Sequence, residues 1–156
     1  MEISQICFDQ AKGLEDYCGF LLIKKGTKRP LVSYKNEPHL SLDEALAHNP
    51  AAIAVRSRNL LTLDYDFEEA MVFAASRAID FTAETWHIRR TDNDERFKTV
   101  YYVRDEKLLV LPNGEIDKKI NYQYVHLDVF LNNNGYIIFI GEHDGLEGNY
   151  FLQMDM

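Results

Sequence analysis

The sequence predicts an α+β domain in which a mostly antiparallel sheet is flanked by helices. Helical periodicity near the N-terminus and again after residue 66, together with a series of short apolar or alternating segments later in the chain, supports this class. The chain has 156 residues, of which 46 % are hydrophobic and 27 % charged, and we therefore expect one domain spanning residues 1–156 with a substantial buried core.

Local signals place the individual elements. Ser41 and Glu44 form an S-x-x-E capping box, and Asp66 with Glu69 repeats a helix-start pattern. Periodicity then predicts helices at 3–17, 41–48 and 66–80. Strands are predicted at 19–23, 52–57, 60–66, 85–90, 96–103, 107–111, 122–131, 136–141 and 149–154. The strands at 52–57 and 60–66 are expected to be joined tightly near residues 58–59.

Composition restricts the function classes. No apolar run approaches the roughly 20 residues that a membrane helix needs, and no signal peptide is recognised, so a cytoplasmic protein without membrane contact is expected. Cys7 and Cys18 lack CxxC spacing and are predicted to be small core residues. The net charge of −8 argues against binding nucleic acid by bulk attraction, but residues 23–35 contain five basic residues and no acidic one. That segment is either a solvated loop or a phosphate contact.

Two aspartates end the strand "LLTLDYD". Alternate residues of a strand share a face, so Asp64 and Asp66 lie on the same face with Cα atoms about 7 Å apart. Two such carboxylates repel unless a cation lies between them, and hard oxygen ligands suit Mg²⁺ or Mn²⁺. The alternative is that Asp66 caps the following helix and Asp64 is a surface residue at a strand end.

A third aspartate strengthens the metal hypothesis. In "YVHLDVFL" the alternation places Val125, Leu127 and Val129 towards the core, and His126 and Asp128 on the other face. If this strand lies beside the strand at 60–66, three carboxylates form a cluster of the kind that holds two metal ions roughly 4 Å apart in phosphoryl-transfer sites.

The order of these motifs resembles the N-terminal catalytic domain of bifunctional DNA primase–polymerases (prim-pol), in the archaeo-eukaryotic primase superfamily. "GFLLIKKGTKRPL" is similar to the family's strand and K-x-G-x-K-x-P loop, and "LTLDYD" is similar to its hydrophobic-Asp-hydrophobic-Asp motif. "HLDVFLNNNGYIIFI" resembles its strand with a third aspartate, and "EGNYFL" its tyrosine-bearing end. The chain departs from the family at two places: Lys98 or Thr99 stands where the family has the histidine of its small-x-His motif, and Arg58 and Asn59 stand where it has a glycine.

The resemblance implies an RRM-like catalytic core and divalent-metal-dependent nucleotidyl transfer in plasmid or viral DNA replication. The implied catalytic and metal ligands are Asp64, Asp66 and Asp128, with Mg²⁺ or Mn²⁺ as cofactor. The implied ligands of phosphate or nucleotide are Lys28, Arg56, Arg58, Lys98 and His126. Implied partners are nucleic acid, nucleoside triphosphates and replication proteins. Tyr124 and Phe130 are either base-stacking platforms or packing residues.

Three alternatives remain open from the residues. A nuclease would use the same aspartates to activate water, with Lys98 or His126 as general acid or base. A replication-initiator nicking domain would combine half of a His-x-His pair, at His126, with Tyr101 or Tyr102. A binding module would have kept the fold and lost activity. The other histidines are too scattered to indicate a metal cluster and are expected in loops or on the surface: His39, His48, His87 and His143.

Overall fold

A computed structural model describes residues 1, 3–15, 19–32, 40–56, 60–66, 69–72, 85–93, 96–102, 120–122, 127–130, 136–142 and 148–155. Its two helices are α1 (Gln5–Glu15) and α2 (Leu42–Ala47). Residues 69–72 are also helical. The strands are β1 (Gly19–Ile23), β2 (Ala52–Arg56), β3 (Leu60–Tyr65), β4 (Thr85–Arg90), β5 (Phe97–Tyr102), β6 (Ile120–Tyr122), β7 (Leu127–Phe130), β8 (Tyr136–Glu142) and β9 (Asn149–Asp155).

The described strands form one antiparallel sheet in the order β1-β2-β8-β9-β4-β5-β3-β7-β6. The prediction of an α+β fold with a mostly antiparallel sheet is therefore confirmed. β2 and β3 are close in sequence, yet β8, β9, β4 and β5 lie between them in the sheet. The tight connection expected near residues 58–59 thus does not join paired strands, and residues 57–59 themselves lie outside the described part of the chain.

Most predicted elements occur at or near their expected positions. The strands expected at 19–23 and 85–90 have those bounds, whereas the first helix spans 5–15 rather than 3–17. The strand expected at 107–111 and most of the helix expected after Asp66 fall outside the described residues. No helix in the described ranges is long and apolar enough to cross a membrane.

The core lies between α1 and the sheet. Cys7, Ala11 and Leu14 are buried at helical spacing on one side of α1, which packs mainly against β9. They join a cluster that includes Phe20 of β1 and Phe139 of β8, whose ring centroids are 5.6 Å apart. The prediction that Cys7 is a small core residue is confirmed, and Cys18 is outside the described residues.

The capping box of α2 is used as the sequence predicts. Ser41 is the N-cap residue, and its Oγ accepts a hydrogen bond from the Glu44 backbone N–H at 3.2 Å. Glu15 at the end of α1 accepts from the Leu42 N–H at 3.1 Å, which satisfies another donor of the first turn and connects the two helices. α2 buries Leu42 and Ala45 beside β1.

The face of β3, β4 and β5 that carries Tyr65 is an aromatic cluster. The Tyr65 ring stacks on the Phe97 ring with 4.7 Å between their centroids. The His87 ring is parallel to the same Phe97 ring, with 5.9 Å between their centroids. His87 is 1 % exposed, so the expectation that it lies in a loop or on the surface is wrong: it is an inward-facing residue of β4. Burial raises the pKa of the Tyr65 phenol well above its usual value, and its hydroxyl is hydrogen-bonded to Thr99 at 3.2 Å.

Two glycines give opposite expectations for substitution by alanine. Gly141 in β8 has φ +104°, and a Cβ there would lie 2.3 Å from the Ala51 carbonyl oxygen. Gly141→Ala should lower the free energy of unfolding by about 2 kcal/mol or more. Gly13 in α1 has no neighbour within 4 Å of an added Cβ. Gly13→Ala should raise the free energy of unfolding by about 0.5–1 kcal/mol, because alanine restricts the unfolded chain and favours the helix. Urea unfolding of both variants measures the difference, and equal effects would contradict the described backbone.

Alkaline unfolding should depend on Tyr65. Its pKa is raised on folding, so its contribution to stability is complete below the unfolded value near 10 and is lost as pH rises beyond it. Between pH 8 and pH 10.5 the wild type should lose about 0.8 kcal/mol more than Tyr65→Phe. Urea unfolding of the two proteins at both pH values gives this difference. Parallel losses in the two proteins would show that Tyr65 is accessible to solvent.

Candidate functional site

Strand pairing places four polar positions in one row across the sheet. Asp64 of β3 is paired with Lys98 of β5 on one side and with position 128 of β7 on the other. Position 128 is in turn paired with Asn121 of β6. Directly opposed residues of an antiparallel pair lie on the same face, about 5 Å apart at Cβ. The strand carrying Asp128 therefore lies beside the strand at 60–66, as the three-carboxylate hypothesis requires.

Next to Asp64 on this face is a small polar cavity of about 50 Å³. Alternation along β3 and β5 brings in Asp66 and Arg96 beside Asp64 and Lys98. The described residues that line it are Lys28, Asp64, Asp66, Ile88, Arg90, Arg96, Lys98 and Tyr150. Two carboxylates and four cationic side chains thus share one cavity at the end of the strands where β3 leads into residue 66.

Each carboxylate of the cavity has a basic partner. Arg96 Nη2 donates to Asp66 Oδ1 at 2.6 Å, and Lys98 Nζ lies 3.4 Å from Asp64 Oδ1. The hydrogen bond to Asp66 raises the pKa of the Arg96 guanidinium, which stays charged at every accessible pH. The Asp64 and Lys98 side chains are 18 % and 17 % exposed, so their interaction is only partly screened by solvent. Asp64 lies near the end of β3, as its alternative assignment to a strand end expects, and its side chain is partly buried.

The remaining two cations are held differently. Arg90 donates from Nε and Nη2 to Asp92 at 3.0 and 2.6 Å, which fixes its guanidinium at the cavity without using Asp64 or Asp66. Lys28 belongs to the basic segment, and its carbonyl oxygen accepts a hydrogen bond from the Tyr136 hydroxyl of β8 at 2.8 Å. Among the described residues, Lys28 has no ion-pair partner. It is therefore available to an anionic ligand.

The basic segment is an ordered turn at this point. The Lys24 N–H donates to the Arg29 carbonyl at 2.8 Å, and Thr27 Oγ1 donates to the Lys24 carbonyl at 2.9 Å. Gly26 adopts φ +72°, which the turn requires and which glycine adopts without strain. The alternative of a merely solvated loop is less favoured, because the turn and Tyr136 together direct Lys28 to the cavity.

The predicted site residues separate into three groups. Asp64, Asp66, Lys28 and Lys98 are together in the cavity, and Asp128 joins their row by strand register. Arg56 is on β2, which four other strands separate from β3, so strand pairing does not bring it to the aspartates.

Other predicted residues fall outside the description or are located only by register. Arg58, Tyr124 and His126 lie outside the described residues, as do residues 67–68, on which the helix-cap alternative for Asp66 depends. Position 130 is paired with Thr62 and so lies on the face of Asp64. Tyr101 and Tyr102, considered for a nicking reaction, lie on β5.

Sequence analysis did not identify Arg90, Arg96 or Tyr150 as site residues. Arg96 precedes Lys98 by two positions and therefore shares its face, a signal that alternation alone could have given. Arg90 and Tyr150 reach the cavity through pairing of β4 with β5 and β9, where Ile88 is the partner of both Lys98 and Leu152. No local pattern reveals that pairing.

The donor set at this site suits a hard divalent cation. Carboxylate oxygens are the ligands preferred by Mg²⁺ and Mn²⁺, and Asp64 and Asp66 line the same cavity. Among the side chains that the structure describes, which exclude that of Asp128, no group of three or more His, Cys, Asp or Glu has metal-binding geometry. The two described carboxylates instead hold Lys98 and Arg96.

Comparison of the chain with protein-family models, with curated proteins and with solved structures gave no match. The function is therefore inferred from the geometry and charges of the site.

Proposed function

We propose that this chain is a divalent-metal-dependent nucleotidyltransferase acting on nucleic acid, with an RRM-like core of the primase–polymerase type. The observation that carries the proposal is the register of β3 and β7, in which Asp64 and Asp128 are direct partners. With Asp66 two residues along the same face of β3, three aspartates from distant parts of the sequence belong to one region of the sheet. Phosphoryl-transfer sites need such a convergence of oxygen ligands.

The proposed roles divide the site by charge. Asp64, Asp66 and Asp128 hold Mg²⁺ or Mn²⁺, which supplies charge neutralisation and activates an attacking 3′-hydroxyl when bound. Lys28 and Lys98 bind phosphate oxygens, and Arg90 and Arg96 add planar guanidinium donors suited to bidentate contacts with phosphate. With Asp92 and Asp128 counted, four carboxylates balance the four cations, so the positive excess that an anionic ligand needs comes from the bound divalent ion. That excess is local, on a protein whose net charge is −8.

Lys98 replaces the histidine that the related family uses to contact phosphate. Its ammonium is 3.4 Å from Asp64 and 5.2 Å from the centroid of the Tyr150 ring. Both contacts direct the charge of Lys98 into the cavity. A lysine at this position supplies a point charge for a triphosphate, and the position can keep its binding role without a histidine.

Primer extension tests the proposed reaction. The wild type, given a labelled primer–template, nucleoside triphosphates and Mn²⁺ or Mg²⁺, should lengthen the primer. Asp64→Asn and Asp128→Asn should each reduce the rate by about 100-fold or more, because each removes a charged oxygen ligand. Asp43→Asn is the matched control: the Asp43 side chain is 69 % exposed and pairs with Lys12 on α1. It should leave the rate unchanged.

The same assay distinguishes the alternatives. Metal-dependent shortening of the primer, lost in Asp64→Asn, would overturn nucleotidyl transfer in favour of a nuclease. Cleavage that leaves a covalent tyrosine adduct would indicate a nicking protein. An unchanged primer, together with the absence of Mn²⁺ binding by calorimetry, would indicate a binding module.

Metal affinity should rise when Arg96 is removed, because its guanidinium and a divalent ion compete for Asp66. Removing a unit charge a few ångströms from a divalent ion changes binding by about 1.4 kcal/mol or more. Arg96→Gln should therefore bind Mn²⁺ about tenfold more tightly than the wild type in calorimetry.

Arg90→Gln is the control. It also removes one positive charge from the cavity, but the charge of Arg90 is already offset by Asp92. It should change the affinity by less than about threefold. Equal effects of both variants would contradict direct competition at Asp66.

A further inference from the structure

A second and much larger cavity, of about 1010 Å³, adjoins the charged cavity at Tyr150. We call it the groove. Its walls are the N-terminal end of α1, the turn that follows β1, the residues after α2, and the ends of β4, β8 and β9. The predicted site residues whose side chains are described, Lys28, Asp64, Asp66 and Lys98, do not line it.

The groove and the charged cavity meet at Tyr150. Its side chain lines both and is 7 % exposed, so the two cavities adjoin at this ring. Arg90 lines the charged cavity, and the next residue, Thr91, lines the groove. The turn after β1 contributes Lys28 to the charged cavity and Lys25 to the groove. A single elongated ligand can therefore occupy both.

The two cavities differ sharply in charge. The charged cavity has four cationic side chains in about 50 Å³, whereas the described lining of the groove carries Lys25, the Met1 ammonium, His48 and Glu142 in about 1010 Å³. The rest of its wall is apolar or neutral and polar, with Ile3, Ile140 and Phe151 beside Ser4 and Asn149. A ligand that matches this division has a strongly anionic end and an uncharged end with both apolar and hydrogen-bonding surfaces.

Hydrogen bonds hold the walls of the groove in place. The Asn149 N–H donates to Thr91 Oγ1 at 2.8 Å, and the Thr91 N–H donates to the Asn149 carbonyl at 2.9 Å. On the opposite wall the Glu142 N–H donates to the Ala51 carbonyl at 2.9 Å. A wall fixed before binding lowers the entropic cost of binding a ligand.

We infer that the groove binds the nucleoside part of a nucleotide whose phosphates lie in the charged cavity. This inference rests on the proposed function, since it places the substrate of that reaction. A base and sugar are uncharged and carry both apolar faces and polar edges, as the groove requires, and the volume is in the upper range of small-molecule sites. A polynucleotide strand is less favoured, because its repeated phosphates would need a denser row of cations than Lys25 and the Met1 ammonium provide among the described lining residues.

Calorimetry with ATP and with inorganic tripolyphosphate, each with Mg²⁺, tests the inference. In the wild type, ATP should bind at least tenfold more tightly than tripolyphosphate. Leu31→Trp puts a bulky ring into the groove at a side chain that is 54 % exposed, so the fold is retained. This variant should weaken ATP binding at least fivefold and leave the affinity for tripolyphosphate unchanged.

Val32→Trp is the matched control, since Val32 is 62 % exposed and does not line the groove. It should bind both ligands like the wild type.

The outcomes separate this inference from the proposed function. Equal binding of ATP and tripolyphosphate, unaffected by Leu31→Trp, would leave the phosphate site intact and overturn the nucleoside groove. If Leu31→Trp bound ATP and tripolyphosphate like the wild type but bound a single-stranded oligonucleotide more weakly, the nucleoside assignment would be overturned. The groove would then be a site for a nucleic-acid strand. Failure of the wild type to bind either phosphate ligand would overturn the proposed phosphate site, and with it the groove assignment.

Discussion

The pairing of β3 with β5 and β7 is the constraint on which the site depends. β3 is central to this part of the sheet, and its two neighbours place Lys98 and position 128 opposite Asp64. Because the side-chain period of a strand is two, a register shift of one residue on either side would move the partner of Asp64 to the other face. The aromatic cluster on that other face, formed by Tyr65, Phe97 and His87, resists such a shift, since it would expose buried rings.

The charges at the site are balanced by the protein's own residues. Two carboxylates on neighbouring positions of one face repel each other, and Arg96 and Lys98 reduce that repulsion at 2.6 and 3.4 Å. A bound cation would take over this role and release both basic side chains for an anionic ligand. Metal and phosphate would then favour each other's binding, and the coupling would be reciprocal. The same two basic side chains would thus serve both the protein alone and the protein with the proposed ligands.

Local features of the fold could be predicted from sequence, and long-range ones could not. The strands at 19–23 and 85–90, the Ser41 cap and the shared face of Asp64 and Asp66 follow from periodicity and side-chain chemistry over a few residues. The order of the strands depends on pairings between distant segments, so the entry of Arg90 and Tyr150 into the site had no local signal. The hydrogen bond from Tyr136 to the Lys28 carbonyl spans 108 residues and is equally invisible in the sequence.

Lys98 connects the two halves of the proposed ligand site. Its ammonium contacts Asp64, on the metal side, and lies over Tyr150, whose ring also borders the groove. The Lys98 ammonium is therefore positioned by one contact at the acidic end of β3 and by a second contact with the wall of the groove. Ile88 is the strand partner of Lys98 and is 2 % exposed, which fixes the backbone beneath these contacts. The acidic end of β3 and the groove are accordingly two parts of one surface, joined by a single cation over a buried aromatic ring.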